Sequence, residues 1–255
     1  MTRKEQSKFF QSLFWLLQKL HPGQYAEDIP VRVVAIDDPS LAAVGQWPWP
    51  RSVLADLGAV LDVVEVRRAL ESVAQQTYGD YILTVINDGG DPAPVDKVTS
   101  TFPYPAKIKV IHNPKSLGME AASNKAIAST TSDLIIIHDD DDSWEPTFLD
   151  EAVTALGEGS LKYDAIVTQS TAVYEEVLGD AIRITSTEQY MPWVERVDLT
   201  DLGAQNLFPP IAFLFTRSAY DAVGGFDEEF RVLGDWDFNL RFVASYRIGF
   251  LKRPL

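Results

Sequence analysis

Residues 134–144 have the sequence LIIIHDDDDSW, in which four aspartates, Asp139 to Asp142, follow a short apolar run. The β-branched run predicts an interior strand of a parallel sheet, and open α/β sheets bind ligands at the carboxyl ends of such strands. Adjacent carboxylates repel one another, so the cluster indicates a cation, with Mg²⁺ or Mn²⁺ beside a diphosphate as the best match. The alternative is a solvated acidic loop that caps a helix over residues 146–156 through Asp142 or Ser143.

The segments around this cluster alternate between predicted helices and strands. A helix that carries Val66, Leu70 and Val73 precedes a strand over residues 81–86. A second strand at 108–111 and a helix at 119–128 then lead to the strand before the aspartates. This alternation is typical of a doubly wound α/β sheet.

The turn after the first of these strands is a candidate nucleotide contact. Asp88 follows the strand over residues 81–86 and could accept a hydrogen bond from a base or ribose. Gly89 and Gly90 come next, and glycines allow the backbone to approach a ligand closely. We therefore expect a nucleotide to lie across the strand ends.

Composition indicates one enzyme-sized domain without a nucleic-acid surface. The chain has 255 residues, 46% of them hydrophobic, which is enough for a substantial core. Its 37 acidic and 22 basic residues give a formal charge of −15, which disfavours binding to nucleic acid. The same negative charge would repel a nucleotide sugar. A divalent cation bound at the aspartate cluster would make that site attractive to it. The absence of cysteine excludes disulfides and thiolate metal sites.

The C-terminal half is expected to recognise the acceptor. Strands are predicted over residues 165–168 and 211–215, whereas residues 171–205 have mixed patterning with scattered aromatic side chains. Trp193 among them is either an acceptor contact or a packing residue. A helix is predicted over residues 235–246, so Asp235 lies in its first turn, where the helix dipole favours an ionised base.

Three stretches, in this order, resemble the family-two inverting glycosyltransferases, which have the GT-A fold. They are RRALESVAQQTYGDYILTVINDGG at 67–90, HNPKSLGMEAASNKAIASTTSDLIIIHDDDDSW at 112–144 and VGGFDEEFRVLGDWDFNLRF at 223–242. The resemblance covers about residues 63–255 and implies an α/β fold with a Rossmann-like, mostly parallel sheet flanked by helices.

The resemblance also implies roles for four aspartates. Asp88 matches the nucleobase-contacting position. Asp139 and Asp141 match the D-x-D pair that reaches the ribose and the metal-bound diphosphate, with Asp141, and also Asp139, as candidate metal ligands. Asp235 matches the catalytic base. This sequence departs from the family at Gly234, where an acidic residue is usual.

These roles imply a metal-dependent, non-processive hexosyltransferase. It would move a sugar from a nucleotide-diphosphate donor to a hydroxyl group of a saccharide or lipid-linked acceptor, such as a bacterial cell-envelope polysaccharide. Two alternatives stay open. One is a nucleotide-sugar-binding or sensory module without turnover, and the other is a sugar nucleotidyltransferase. No Walker-type phosphate-binding sequence occurs in the chain.

The N-terminal segment does not resemble that family. Residues 29–61, with the run WPWPR at 47–51, resemble the start of a CHASE-type sensor domain of the second class. We therefore divide the chain into a segment over residues 1–62 and a transferase-like domain over 63–255, with a nucleotide-sugar half at 63–158 and an acceptor half at 159–255. The junction falls at about residues 59–64.

Residues 31–36 are β-branched and could replace the usual first strand of the sheet. This strand would bring Asp37 and Asp38 near the nucleotide as candidate contacts. The alternative is an unpaired or swapped N-terminal arm.

An amphipathic helix is predicted over residues 9–20. It is too short and polar to span a bilayer, so it is expected to pack on the domain, to form a homodimer or to contact a membrane peripherally. No signal peptide is evident, which predicts a cytoplasmic, possibly membrane-associated protein.

Overall fold

A computed structural model describes residues 65–158, 163–178, 181–230 and 233–255. The first described helix, α1, covers residues 65–74. The remaining helices are α2 (Pro92–Thr99), α3 (Met119–Ala128), α4 (Phe148–Glu158), α5 (Leu199–Ala204), α6 (Arg217–Val223) and α7 (Gly234–Val243). The strands are β1 (Leu83–Asp88), β2 (Ile108–Asn113), β3 (Leu134–Ile135), β4 (Ala165–Leu178), β5 (Ala181–Tyr190), β6 (Phe213–Thr216) and β7 (Ile248–Pro254).

The strands form two sheets within the described residues. β1 and β2 pair in parallel, in register from Leu83 opposite Ile108 to Asp88 opposite Asn113. The second sheet has the order β3-β6-β4-β5, and β7 also pairs with β4. In it, β4 pairs in parallel with β7, whereas the β3–β6, β4–β6 and β4–β5 pairs are antiparallel. The α/β class is confirmed. Asp88 is the last residue of β1, and Asp139 to Asp142 lie in the loop after β3.

Most element predictions are confirmed, with shifted ends. The helix over 119–128 is observed as Met119–Ala128, and the strand predicted over 81–86 lies two residues later, at Leu83–Asp88. The strand before the aspartates is shorter than predicted, because only Leu134 and Ile135 pair with β6. Residues 170–178 of β4 pair with β5 in a long antiparallel ladder, which the mixed patterning did not indicate.

Two apolar clusters hold these elements together. The larger one packs the aromatic rings of α7, β6 and the turn before α7, with Phe213, Phe215, Phe238 and Phe242 almost entirely buried. The second joins α1 to α4 and includes Leu70 and the fully buried Phe148. Because these contacts link both halves of the described chain, they set the relative positions of the strand ends and α7.

The side chain of Gln76, just after α1, caps helix α4. Its Oε1 accepts a hydrogen bond of 3.0 Å from the backbone N–H of Leu149, and its Nε2 donates to the carbonyl of Glu145 at 2.8 Å. The alternative in which Asp142 or Ser143 is the N-cap is therefore wrong, since α4 begins only at Phe148. The aspartate cluster therefore does not cap α4.

A buried hydrogen-bond network fixes the turn over residues 224–226, which follows α6 and is contacted by side chains of both α3 and α7. Arg241 donates to the carbonyls of Val223 and Gly225 at 3.2 and 2.9 Å and to Asp237 Oδ2 at 2.8 Å. From the other side, Asn124 Oδ1 accepts from the N–H of Phe226 at 3.0 Å. The start of α7, which carries Asp235, is therefore tied to α3.

Several N-terminal predictions lie outside the described residues. They concern the replacement strand over residues 31–36, the candidate nucleotide contacts Asp37 and Asp38, and the amphipathic helix over residues 9–20. Within the described ranges, β1 pairs with β2 and β3 pairs with β6, so a strand between β1 and β3 stays a prediction. No helix in these ranges is both long and apolar enough to cross a bilayer.

Candidate active site

The aspartate cluster lies in a loop directly after β3. The chain turns there, because the N–H of Asp142 donates to the carbonyl of Asp139 at 3.3 Å. Asp139 and Asp141 are partly buried, whereas the intervening Asp140 is exposed. Asp139 and Asp141, at positions i and i+2, are thus less exposed to solvent than Asp140 between them.

Crowding of carboxylates changes the protonation of Asp139. Burial, together with the smaller effects of the negative charges of Asp142, Asp141, Asp140 and Asp235, raises its pKa from 3.8 to about 7. The contribution of Asp235 indicates that it lies near enough to the aspartate cluster to influence the charge of Asp139. A divalent cation bound here would lower the pKa again by favouring the ionised form.

The raised pKa predicts that the cation-free protein loses stability as pH rises. The folded chain keeps a proton on Asp139 that the unfolded chain releases near pH 4, so the free energy of unfolding falls between about pH 4 and 7. In EDTA, we expect the unfolding temperature of Asp139→Asn to decline less over this interval than that of the parent. Differential scanning calorimetry checks this, and parallel curves for the two proteins would contradict it.

His138, just before the cluster, belongs to the packed interior. Its ring lies edge-on to Trp144 with centroids 4.3 Å apart, and its Nδ1 is 2.7 Å from the carbonyl oxygen of Asp139. Burial lowers its pKa to about 4, so the ring is neutral at pH 7. His138 thus supports the loop that holds the aspartates.

Asp88 is bonded to the loop before α3. Its carboxylate accepts from Asn113 Nδ2 at 2.6 Å, Ser116 Oγ at 2.9 Å and the N–H groups of Leu117 and Gly118 at 2.9 Å. Partial burial alone raises the pKa of Asp88, but these hydrogen bonds outweigh it and lower the pKa below its usual value. Asp88 therefore holds residues 116–118 against the carboxyl end of β1.

Gly89 makes the close approach between this turn and the loop possible. Its φ is +90°, and a Cβ there would lie 2.3 Å from the backbone nitrogen of Ser116. Only glycine fits without displacing the loop that Asp88 holds.

Asp235 lies in the first turn of α7 and is partly buried. Its Oδ2 accepts a hydrogen bond of 3.0 Å from Asn206 Nδ2. Burial raises the pKa of Asp235, although its bonds with the N–H of Trp236 and with Asn206 oppose the rise. The pKa of Tyr190, at the end of β5, is raised by burial and also by the charge of Asp235.

A small open cavity lies between Asp235 and helix α3. Its lining includes Ile137 at the end of the β3 segment, Phe226 in the turn before α7, and Met119, Glu120 and Ser123 of α3. Asp235 thus borders a space whose wall is mainly apolar. The aspartate cluster follows Ile137 directly in the chain.

Two residues beside Asp235 were not predicted from the sequence. Asn206 holds the Asp235 carboxylate, and Glu120 shares its cavity. Asn206 gave no sequence signal, and the one indirect signal for Glu120 is the absence of the usual acidic residue at Gly234. Trp193, in contrast, is 64% exposed and stays a candidate acceptor contact.

The donor set suits a cation shared with a substrate. Within the described ranges, no group of three or more His, Asp and Glu side chains forms a complete metal site. Asp139 and Asp141 would therefore supply part of the coordination, with phosphate and water oxygens supplying the rest, as Mg²⁺ and Mn²⁺ sites commonly do.

Two solved structures share the fold. The chain matches Staphylococcus aureus TarS, residues 1–349 in complex with UDP, with a TM-score of 0.57 and 18% identity over 73% of this chain and 54% of that one. It matches the mannosyltransferase PcManGT from Pyrobaculum calidifontis, in complex with GDP-Man and Mn²⁺, with a TM-score of 0.54 and 19% identity over 74% of this chain and 51% of that one. These likenesses confirm the GT-A fold.

Curated relatives are also glycosyltransferases by name. The chain is 26% identical over 181 residues to the uncharacterized glycosyltransferase YwdF of Bacillus subtilis, covering 70% of this chain. It is 27% identical over 177 residues to a PGL/p-HBAD biosynthesis glycosyltransferase of Mycobacterium bovis, covering 69% of this chain. In both cases, the chain spans 63% of the length of the relative.

Family models match both parts of the chain. A CHASE2 domain model matches residues 4–67, which confirms the N-terminal resemblance and extends it toward the N-terminus. The model for glycosyl transferase family 2 matches residues 64–224, which is more than half of the chain. With the fold and the placement of its aspartates, this match shows that the chain belongs to glycosyl transferase family 2.

Proposed function

We propose that the protein is a metal-dependent inverting glycosyltransferase that uses a nucleotide-diphosphate sugar. The observation that carries this proposal is that Asp235 shares a cavity with Ile137, two residues before Asp139, and that its charge contributes to the raised pKa of Asp139. The proximity of a candidate base to the loop of the candidate diphosphate site supports this proposal. Nucleotide ligands in TarS and PcManGT, and Mn²⁺ in PcManGT, support the donor class and the cation.

The proposed reaction is a single displacement. An acceptor hydroxyl in the cavity transfers its proton to Asp235, and its oxygen forms a bond to the anomeric carbon of the donor sugar. The bond between that carbon and the diphosphate oxygen breaks on the opposite face, so the configuration inverts. General-base assistance of this kind contributes about 10²- to 10⁴-fold.

Asp141, with Asp139, is proposed to hold Mg²⁺ or Mn²⁺. The bound cation would neutralise charge on the leaving diphosphate. Asp88 is proposed to act at the nucleobase end, chiefly by holding residues 116–118 in place, because its carboxylate oxygens already accept the hydrogen bonds of that loop. A direct bond to the base would replace one of them.

A panel of nucleotide sugars tests the function. We expect one or more donors, in the presence of Mn²⁺, to raise the unfolding temperature and to be hydrolysed slowly to free sugar and nucleoside diphosphate. Release of sugar phosphate would instead indicate a nucleotidyltransferase, and binding without turnover would indicate a sensory or impaired module. Either result would contradict the proposal.

Asp141→Asn is expected to abolish Mn²⁺-dependent stabilisation by nucleoside diphosphate. In the parent, a ligand at 100 times its Kd raises the free energy of unfolding by about 2.7 kcal/mol. The substitution is nearly isosteric and removes one anionic ligand, so the ligand-free fold should persist. Calorimetric titration measures the binding.

Asp140→Asn is the matched control for this measurement. It removes the same charge from the same loop, but Asp140 is exposed. We expect the control to bind Mn²⁺ and nucleotide nearly as the parent does. Equal losses in the two variants would show that the loop acts only through its overall charge.

The acceptor is proposed to be a saccharide or a lipid-linked hydroxyl compound of the cell envelope. The name of the mycobacterial relative, a PGL/p-HBAD biosynthesis glycosyltransferase, supports an acceptor of this class. The exposed Trp193 could contact its sugar ring.

A further inference from the structure

Glu120 is a buried carboxylate whose presence the fold does not explain. It is the second residue of α3 and only 3% exposed, yet its Oε1 has no hydrogen-bond partner among the described residues. An unpartnered polar atom in the interior costs free energy, so such groups are uncommon without a ligand to satisfy them.

The position of Glu120 is tied to Gly234. A Cβ on Gly234 would lie 2.1 Å from Glu120 Oε1 and 2.4 Å from its Cγ. The carboxylate of Glu120 therefore fills the volume next to Asp235 that a side chain at position 234 would take. A second acidic group stands beside the candidate base, but it comes from a different helix.

The cavity suits a neutral hydrogen-bond donor. Glu120 and Asp235 both line it, and a phosphate would be repelled by two carboxylates. A hydroxyl can donate to Glu120 without adding charge, while Met119, Ile137 and Phe226 supply apolar surface for the carbon face of a sugar ring. A single hydroxyl group on an otherwise apolar face, as a saccharide presents, would satisfy both properties.

We propose that Glu120 is a substrate-binding residue that accepts a hydrogen bond from a saccharide hydroxyl bound beside Asp235. This inference rests on the proposed function and adds a residue to it. The hydroxyl belongs either to the donor sugar or to the acceptor, and both sources have the same chemistry at Glu120.

Glu120→Gln and Glu120→Ala in the full chain test the inference. We expect Mn²⁺-dependent turnover of a nucleotide sugar that the parent uses to fall about 10-fold for Gln and up to about 100-fold for Ala. The Kd for nucleoside diphosphate should not change. The unfolding temperature of ligand-free Glu120→Gln should equal or exceed that of the parent, because Oε1 of Glu120 has no hydrogen bond among the described residues that the substitution could break.

Two kinetic measurements distinguish the sources of the hydroxyl. If the donor sugar binds Glu120, hydrolysis of the nucleotide sugar by water falls in both variants. If the acceptor binds Glu120, hydrolysis persists, and the KM for the acceptor rises in the transfer assay. Either outcome supports the inference.

A relocated carboxylate provides a second test. Gly234→Glu alone should destabilise the fold, because the new side chain meets Glu120. The double variant Glu120→Ala with Gly234→Glu places the acid in the same volume from α7 and should recover part of the turnover that Glu120→Ala loses. Failure of this recovery, with a normally folded double variant, would contradict the placement.

The inference and the proposed function can fail separately. If the parent turns over a nucleotide sugar and Glu120→Gln does so equally well, Glu120 has no role in binding, while the proposed function stands. A lower unfolding temperature with unchanged turnover would show a structural role instead. If the parent neither binds nor hydrolyses any nucleotide sugar, both are overturned.

Discussion

Asp235→Asn is expected to reduce sugar transfer by about 10²- to 10⁴-fold while the affinity for donor and Mn²⁺ stays unchanged. The substitution keeps the size of the side chain and its hydrogen bond with Asn206 can persist through the amide oxygen. What it removes is the group that takes the proton of the acceptor hydroxyl. Single-turnover kinetics and calorimetric titration measure the two quantities separately.

The pH dependence of transfer gives this prediction an internal control. Burial raises the pKa of Asp235, so its ionised fraction grows as pH rises through a value above the usual one for aspartate. The kcat of the parent should therefore rise with pH over this interval, and residual transfer by Asp235→Asn should lack that rise. Equal turnover by the two proteins would rule out Asp235 as the base.

Arg241→Leu is expected to lower the free energy of unfolding by about 3–5 kcal/mol. The guanidinium is almost fully buried, and its bond of 2.8 Å to Asp237 joins two side chains that are only 1% and 3% exposed. The substitution takes a buried cation away from Asp237 and releases the carbonyls of Val223 and Gly225. Urea denaturation monitored by fluorescence measures the loss.

Arg196→Leu is a matched control for the buried pair. Arg196 is also 2.8 Å from its aspartate, Asp198, but the arginine side chain is 79% exposed. Water already solvates both charges, so the free energy of unfolding should stay close to that of the parent. Similar losses in Arg196→Leu and Arg241→Leu would show that burial does not determine the value of the pair.

Elements with local signals were predicted well. Helix α3 has the predicted ends because it begins directly after Gly118, whose φ of +98° is not helical, and because helix-forming residues follow. The hairpin of β4 and β5 was missed, because its outer residues Tyr174 and Ile184 are exposed and lack a regular apolar alternation. Its pairing depends on backbone hydrogen bonds that two separate segments must form together.

Candidate site residues that lie next to a predicted strand or helix could be singled out from the sequence. Contacts between distant segments of the chain could not. Asp139 and Asp141 come directly after a predicted strand, and Asp235 opens a predicted helix, so the order of residue types was sufficient to find them. Gln76 as the cap of α4 could not be found in this way, and the local alternatives Asp142 and Ser143 were wrong. A cap from a distant helix follows from packing.

Residue order alone was enough to indicate the GT-A class and the family, through the resemblance of three ordered motifs. It also singled out the aspartates as candidates, because strand ends and helix starts are encoded within a few neighbouring positions. The set of neighbours around Asp235 depended on the folded chain. Asn206 bonds to Asp235, and Glu120 takes the space beside Gly234, because the aromatic core and the Arg241 network bring α3, α7 and the loop after α5 together. Such contacts join distant segments through close packing, and no short stretch of sequence contains them.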